Sequence, residues 1–205
     1  KYLPNQHAKD SVLMLAQDFT ARKSINFTNV GVAPPTAKPS IISPSNFSLT
    51  YAYYETYSRN PQMERQLQKN YKGIFSYAYN QTPRYFEPLG KARGRTIQSP
   101  YLRLIKDFNV GYKPSQLSFV SEINRNYNEI KVRNLSANSD IQIPSSYAKD
   151  FYWNRVYALQ WDLTKSLKLT FSANNLARID EPEGMVDRKR DRSSYQVWKD
   201  SVWKN

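Results

Sequence analysis

From residue 47 onward, large apolar and small polar residues alternate along the chain. Phe47, Leu49, Tyr51, Tyr53 and Tyr57 share one parity, with Glu55 among them, and Ser48, Thr50, Ala52, Tyr54 and Thr56 take the other. Successive side chains of a strand point to opposite faces, so the spacing predicts a strand over 47–57 with one aromatic and one polar face. Residues 71–80 repeat it, with Tyr71, Phe75, Tyr77 and Tyr79 against Lys72, Ser76, Ala78 and Asn80, although Gly73 and Ile74 blur the division. The joining segment SRNPQMERQLQK is polar and only in part strand-like. After a basic stretch at 81–107 the pattern predicts a short strand over 108–113, a tight turn at 114–116 and a long strand from 117 to about 133. That strand sets Leu117, Phe119, Ile123 and Tyr127 against Ser118, Glu122, Asn124 and Asn126. A polar loop over 134–150 leads to the sharpest signal. Phe151, Trp153, Tyr157, Leu159, Trp161 and Leu163 align over 151–163, and Leu167, Leu169 and Phe171 align over 167–175. Thr164, Lys165 and Ser166 form the turn of this hairpin, and Gln160, Asp162, Lys168, Thr170 and Ser172 occupy its polar face.

The flanks differ. Residues 1–23 read as irregular apart from the apolar run Val12, Leu13, Met14, Leu15 and Ala16, and a strand is possible over 24–32. Pro34, Pro35, Pro39 and Pro44 make 33–45 an extended, exposed connection. In the tail, 179–191 is charged and loop-like, and Tyr195, Trp198 and Val202 at i, i+3 and i+7 predict a short amphipathic helix. The chain thus divides into a leader (1–46), a run of hairpins (47–178) and a charged loop with a helix (179–205).

Composition narrows the classes. The chain has 205 residues, 16 of them Tyr, no Cys and a formal net charge of +13; its pI is near 9.8 and its mean hydropathy −0.74. No run approaches the ~18 apolar residues of a membrane helix. A β-barrel remains open, because only alternate residues of a barrel strand face lipid. The absence of Cys excludes disulfides, thiolate zinc sites and thiol nucleophiles. The positive charge makes nucleic acid, anionic lipid and acidic partners candidates. For nucleic acid, KGIFSYAY (72–79) shares only Lys72, Gly73 and Tyr79 with an RNA-binding strand signature, and the helices of that fold have no counterpart. Basic loops facing an anionic surface such as lipopolysaccharide account for the charge better. Catalytic motifs are not found. Ser201 and Lys204 have an S-x-x-K spacing without its partner motifs. His7 stands in a polar leader without ligand neighbours, and Asp180, Glu181 and Glu183 beside Pro182 read as an exposed acidic loop sooner than a Ca²⁺ site. No cofactor, metal or catalytic residue is expected.

Two architectures fit the alternation. In a soluble sandwich the aromatic face would be the core, but sandwich strands run to about five or six residues, whereas these patterns hold for about ten, as in tilted membrane strands. The opposite face, rich in Ser, Thr, Ala, Asn and Gln, suits a water-filled lumen. Short turns also alternate with long loops, as in outer-membrane barrels. Glu55 and Arg155 are the charges on the aromatic faces, and they call for headgroups or protein contacts.

Specific wording adds to this. AQDFTARKSINFTNV (16–30), SNFSLTYAYYETYSRN (45–60), IKDFNVGYKPSQLSFVSEINRNYNE (105–129), FYWNRVYALQWDLTKSLKLTFSANNLARIDEP (151–182) and YQVWKDSVW (195–203) resemble the SprA/Sov family, in the family's order. Its members are very large outer-membrane translocons of the type IX secretion system of Bacteroidetes, which serves gliding motility and cell-surface cargo. The resemblance implies an all-β antiparallel meander forming part of the wall of a large transmembrane barrel, with long loops and a short amphipathic helix near the C-terminal end. It implies a location in the outer membrane of a Gram-negative bacterium, no enzyme activity and export of folded protein. The implied partners are lipid and lipopolysaccharide, the remainder of the barrel, a plug protein, a cargo-collecting outer-membrane protein and folded cargo, without nucleic acid. An independent small barrel (porin-like or adhesive) and a soluble β-sandwich binding module are the alternatives. On the barrel reading Phe47, Leu49, Tyr51, Tyr53, Phe75, Tyr77, Phe119, Ile123, Tyr157, Leu159, Trp161, Leu163, Leu167, Leu169 and Phe171 face lipid. Ser48, Thr50, Ser76, Glu122, Asn124, Gln160, Asp162, Lys168, Thr170 and Ser172 face the lumen. Strand parity then puts the 164–166 turn, 114–116 and the 58–69 connection on the periplasmic side, with 81–107 and 134–150 outside.

Overall fold

The computed structural model describes residues 6–33, 40–87, 108–135, 142–186 and 192–204. Six long strands form one antiparallel meander: β1 (Phe19–Gly31), β2 (Phe47–Arg59), β3 (Met63–Asn80), β6 (Gln116–Val132), β7 (Ser146–Asp162) and β8 (Lys168–Arg178), hydrogen-bonded in that order. The sheet is open, with β1 and β8 at its edges, as a segment of a barrel wall would be. Two short strands, β4 (Tyr85–Phe86) and β5 (Val110–Gly111), pair with each other between β3 and β6. Helix α1 (Gln6–Ala16) precedes β1, and α2 (Arg192–Lys204) ends the chain.

Local chemistry sets the turns. Asn60 Oδ1 accepts from the amides of Gln62 (3.0 Å) and Met63 (2.6 Å), an Asx turn that reverses β2 into β3. Thr164 Oγ1 does the same for Ser166 (3.2 Å) and Leu167 (2.8 Å) between β7 and β8. In β1 a bulge between Phe27 and Val30 places Asn29 at φ 54° and lets its amide donate to Thr50 Oγ1 at 3.0 Å. The extra residue inverts the parity of β1, so Val30 rejoins the face that carries Ile25 and Phe27.

Several expectations are corrected. The leader is not irregular: it holds α1, and β1 begins at Phe19 rather than near 24. A run of consecutive apolar residues carries no 3.6-residue period, so α1 left no pattern to find. The polar segment before Tyr71 is strand throughout from Met63, and the 134–150 loop gives way to β7 at Ser146. Residues 108–113 are not a wall strand turning into β6. Only Val110–Gly111 is strand, paired with Tyr85–Phe86, and the segment then runs beside the end of β7. There Gly111 N donates to Leu163 O (2.8 Å) and Ser115 N to Gln160 O (3.0 Å). With no wall strand between β3 and β6, parity changes. The described ends of the connection after β3 (81–87 and 108–115) share the end of the sheet with the 163–167 turn, whereas the 60–62 turn and residues 133–135 and 142–145 lie at the other end. The expected grouping of 81–107 with 134–150 is therefore overturned at the described ends of the two connections, residues 88–107 and 136–141 lying outside the described residues. That of 58–69 with 164–166 is overturned as well. The GKARGR run (90–95) and the His7 side chain lie outside the described residues.

Candidate functional site

The register gathers the aromatic parity of every long strand onto one face. Its rungs across the sheet run Tyr79–Leu117–Leu159–Phe171, then Phe47–Tyr77–Phe119–Tyr157, then Val30–Leu49–Phe75, then Phe27–Tyr51–Gly73–Ile123–Trp153, then Ile25–Tyr53–Tyr71–Arg125–Phe151. Trp161 and Leu169 pair just beyond the first of these. Each residue expected to face lipid lies on this face, apart from Leu163 and Leu167, which are in the turn. Each residue expected to face a lumen lies on the opposite face, where Ser48 and Ser76 hydroxyls meet at 2.6 Å and Lys72 pairs with Glu122 at 2.9 Å.

Exposure runs opposite to that of a water-soluble sheet. Leu49 is 51% exposed, Phe27 57% and Phe171 54%, whereas Ser48, Thr50, Ser76, Glu122, Asn124 and Gln160 are half-buried. On the edge strand β8 both faces are exposed, Lys168, Thr170 and Ser172 as well as Leu169 and Phe171. No second layer covers the middle of the aromatic face among the described residues. Half-exposing a large apolar side chain forfeits about 1 kcal/mol of the 1.5–3 kcal/mol its full burial is worth. Summed over Ile25, Phe27, Val30, Phe47, Leu49, Tyr51, Phe75, Ile123, Tyr157, Leu169 and Phe171, the forfeit is on the order of 10 kcal/mol, as large as the stability of a whole domain. Such a face requires a covering medium.

Both ends of the face are covered by the chain itself, and this corrects individual assignments. Tyr77 is 9% exposed and donates from its hydroxyl to Ile41 O at 2.7 Å, so it packs under residues 40–46 instead of meeting lipid. Trp161 is half-buried, its Nε1 donating to Gly111 O at 2.9 Å. Asp162, expected in the lumen, is buried at 3% exposure where residues 111–115 close on the end of β7, with Lys168 Nζ at 3.9 Å. A Cβ on Gly111 would stand 1.9 Å from Asp162 O, so this approach admits only glycine.

The other end is charged. One rung carries Lys23, Glu55, Lys69, Tyr127 and Lys149, the next Ala21, Tyr57, Leu67, Glu129 and Tyr147. The C-terminal segment crosses here. Ile179 is buried, its amide bonded to Phe151 O at 2.8 Å. The Glu181 side chain, 1% exposed, accepts from Arg125 Nε and Nη2 (3.0 Å for the latter) and from Trp198 Nε1 of α2 at 3.1 Å. The Arg125 guanidinium lies 5.4 Å from the Trp198 ring centroid and 5.6 Å from that of Tyr71. Glu181 is thus a clamp and not the exposed acid expected; Asp180 and Glu183 are exposed. Sequence missed the clamp because its partner arginine lies 56 residues away. Glu129, fully buried, accepts from Arg65 and from Tyr127 OH at 3.0 Å. Burial pushes the Tyr127 phenol pKa up, with Glu129 adding to it. Burial also lowers that of Lys149, which donates to Pro182 O at 2.6 Å. Glu55 is held below the usual carboxylate range, chiefly by the Tyr53 hydroxyl and then by Lys69 and Lys23.

Arg155 stays within the aromatic face on the rung Ser121–Arg155–Asn175. Its guanidinium lies 4.3 Å from the Trp153 ring centroid and donates to Asn175 Oδ1 at 2.9 Å, while Trp153 Nε1 donates to Ser121 Oγ at 2.8 Å. The charge is thereby met within the sheet. No group of three or more acidic or His residues that would hold a metal occurs among the described residues. No family model matches the sequence, nor does any curated protein.

Proposed function

We propose that this sheet is a stretch of the wall of a large outer-membrane β-barrel that exports folded proteins, a translocon of the type IX secretion kind. The carrying observation is the inverted exposure: a band of bare aromatic and aliphatic side chains backs onto half-buried Ser, Thr, Asn and Ala. The band runs from the Tyr71 rung to Trp161, ten residues along the strands, or about 33 Å at the usual rise per residue. Tilted by ~40–45° as barrel strands are, it spans about 25 Å, the height of the apolar belt of outer-membrane barrels. The open edges of β1 and β8 would be paired by further strands of the same barrel, since lipid does not tolerate unpaired backbone. The resemblance to the SprA/Sov family supports the export role and, with it, a plug protein, a cargo-collecting protein and folded cargo as partners.

The test places a single cysteine at Leu49 or at Thr50 in cells carrying the whole protein, followed by a bulky, membrane-impermeant thiol reagent. In water Leu49 is the more exposed of the two, so a soluble sheet labels 49 ahead of 50. A membrane wall gives the reverse order, because lipid shields 49 and the lumen wets 50. Labelling at 49 in native cells would refute the wall. Where the wall is supported, Phe75→Asp is expected to leave folded cargo in the periplasm; unaltered export would remove the translocon role.

A further inference from the structure

The bare band ends in a line of tyrosines followed by a line of cations. Tyr53 and Tyr71, with ring centroids 4.9 Å apart, close the apolar side. Two residues further along the strands, about 7 Å, Lys23, Lys69 and Lys149 stand on one rung, flanked on the next by Tyr57 and Tyr147. Lys149 and Arg125 are engaged by the C-terminal segment. Lys23 and Lys69 differ: their ammonium groups lie 3.5 and 3.7 Å from the same Glu55 carboxylate. Two cations share one anion, so the pair keeps a net positive charge. Each ammonium has three N–H donors, and Lys23 is 75% exposed. Glu55 holds the two amines side by side, Lys23 largely exposed and Lys69 27% exposed, and each keeps N–H donors beyond the one turned to the carboxylate. An apolar belt, then aromatic rings with a polar tip, then lysines on long apolar stems is the order of groups met on leaving hydrocarbon through a headgroup layer.

Resting on the wall reading above, we infer that the Lys69 rung lies at the headgroup level of one leaflet, and that Lys23 and Lys69 together bind the phosphate of an anionic lipid. The Glu55 bridge sets the spacing of the two donors, and the tyrosines fix the depth of the wall. The basic residues further out on this face, such as Lys131, which pairs with Glu64 at 2.8 Å, lie two rungs beyond and take no part.

The probe is phosphatidylglycerol. The whole protein is reconstituted in phosphatidylcholine vesicles with and without it, extracted in mild detergent, and weighed intact to count retained lipid. The wild type is expected to keep phosphatidylglycerol several-fold better than Lys23→Gln/Lys69→Gln, with Lys131→Gln like the wild type. Equal retention by the double variant, or an equal loss in Lys131→Gln, overturns the inference, the latter because it would make the attraction one of net charge alone. A spin label at Phe75 separates this failure from failure of the wall. If a water-soluble relaxation agent does not reach the label, the wall stands whatever the lipid count. If the agent reaches it, wall and headgroup site fall together.

Discussion

The aromatic face is two surfaces on one set of strands. From the Tyr71 rung to Trp161 most of it is bare. Its residues meet other parts of their own chain under residues 40–46 and 108–115 and at the Tyr71 rung, where the C-terminal segment takes Arg125 and Phe151. The cation in its middle, Arg155 on the Phe75 rung, is held by Trp153 and Asn175. From the Lys69 rung to Arg65 it carries lysines, arginines and buried carboxylates, and the 179–186 segment with α2 lies over part of it. β3 and β6 run unbroken through both. The backbone therefore does not decide where the face turns from apolar to charged. Side chains do, over a distance of two residues. A charged rung needs partners supplied by protein, and here the chain provides them. An apolar rung needs only to be kept from water, and the chain leaves that to its surroundings.

The comparison is most severely broken at the clamp. Arg125→Ala leaves the Glu181 carboxylate, 1% exposed, without its counter-ion, and removing one partner of a buried pair costs about 3–5 kcal/mol. The expected outcome is loss of hydrogen-exchange protection over 192–204, as the segment swings out to hydrate Glu181, while amides of β3 and β6 at the Phe75 rung keep theirs. Protection that survives in α2 would mean that Ile179 and Trp198 hold the segment unaided.

An arginine introduced into each surface comes next. Phe75→Arg puts a charge in the middle of the bare band and is expected to cost about 2–4 kcal/mol if lipid covers it. Leu67→Arg puts the same charge in the charged half, beside Glu129 and Tyr57, and is expected to cost less than about 1 kcal/mol. Denaturation midpoints of the protein reconstituted with lipid would order the two. Equal costs would erase the boundary. A smaller effect is expected at the covered end: Gly111→Ala must move either the 108–115 segment or the end of β7, because the new Cβ falls 1.9 Å from Asp162 O. Overpacking of this kind costs about 1–3 kcal/mol, and the broken Trp161–Gly111 hydrogen bond should red-shift the emission of Trp161 without disturbing the Phe75 rung.

The bare surface was legible in the sequence, and the charged one was not. A period of two with Phe, Tyr, Leu and Trp on one parity survives any error in strand ends, so the parity of Phe47, Phe75, Phe119 and Phe171 already specified a common face. In 63–70 alternation is lost, because Gln66, Gln68 and Asn70 back onto Arg65 and Lys69, with Leu67 the one apolar residue between them; the pattern vanishes although the strand does not. The 108–113 segment failed for the opposite reason. Phe108, Val110 and Tyr112 alternate as a wall strand would, but Gly111 is there to approach the end of β7, and that tertiary contact leaves no periodic trace. One misplaced strand then reversed the sidedness of every connection before it. The bulge at Asn29 hid the continuity of Ile25, Phe27 and Val30 in the same way, by shifting parity once.

The smallest predicted effect is the most selective, because a titrating carboxylate occurs on the charged surface and none among the described residues of the bare rungs. Glu55 has its pKa lowered from 4.5, first by the Tyr53 hydroxyl and then by Lys69 and Lys23. The folded state therefore releases the proton more readily than the unfolded chain. Its contribution is fully present above the unfolded value and is lost as pH falls through the lower, folded one. Lys23 is largely exposed, so solvent screening keeps the contribution to about 1 kcal/mol or less. Between neutral pH and values below 4.5, amide protection relative to the intrinsic rate at each pH should fall at the Lys69 rung of β1 and β2, while protection at the Phe75 rung of the same strands holds. Glu55→Gln should remove the dependence and leave the lower, acid-like protection at every pH. A wild-type rung indifferent to acid would mean that Tyr53 and the two lysines do not act on Glu55 as a unit, and the charged surface would then be held by the clamp alone.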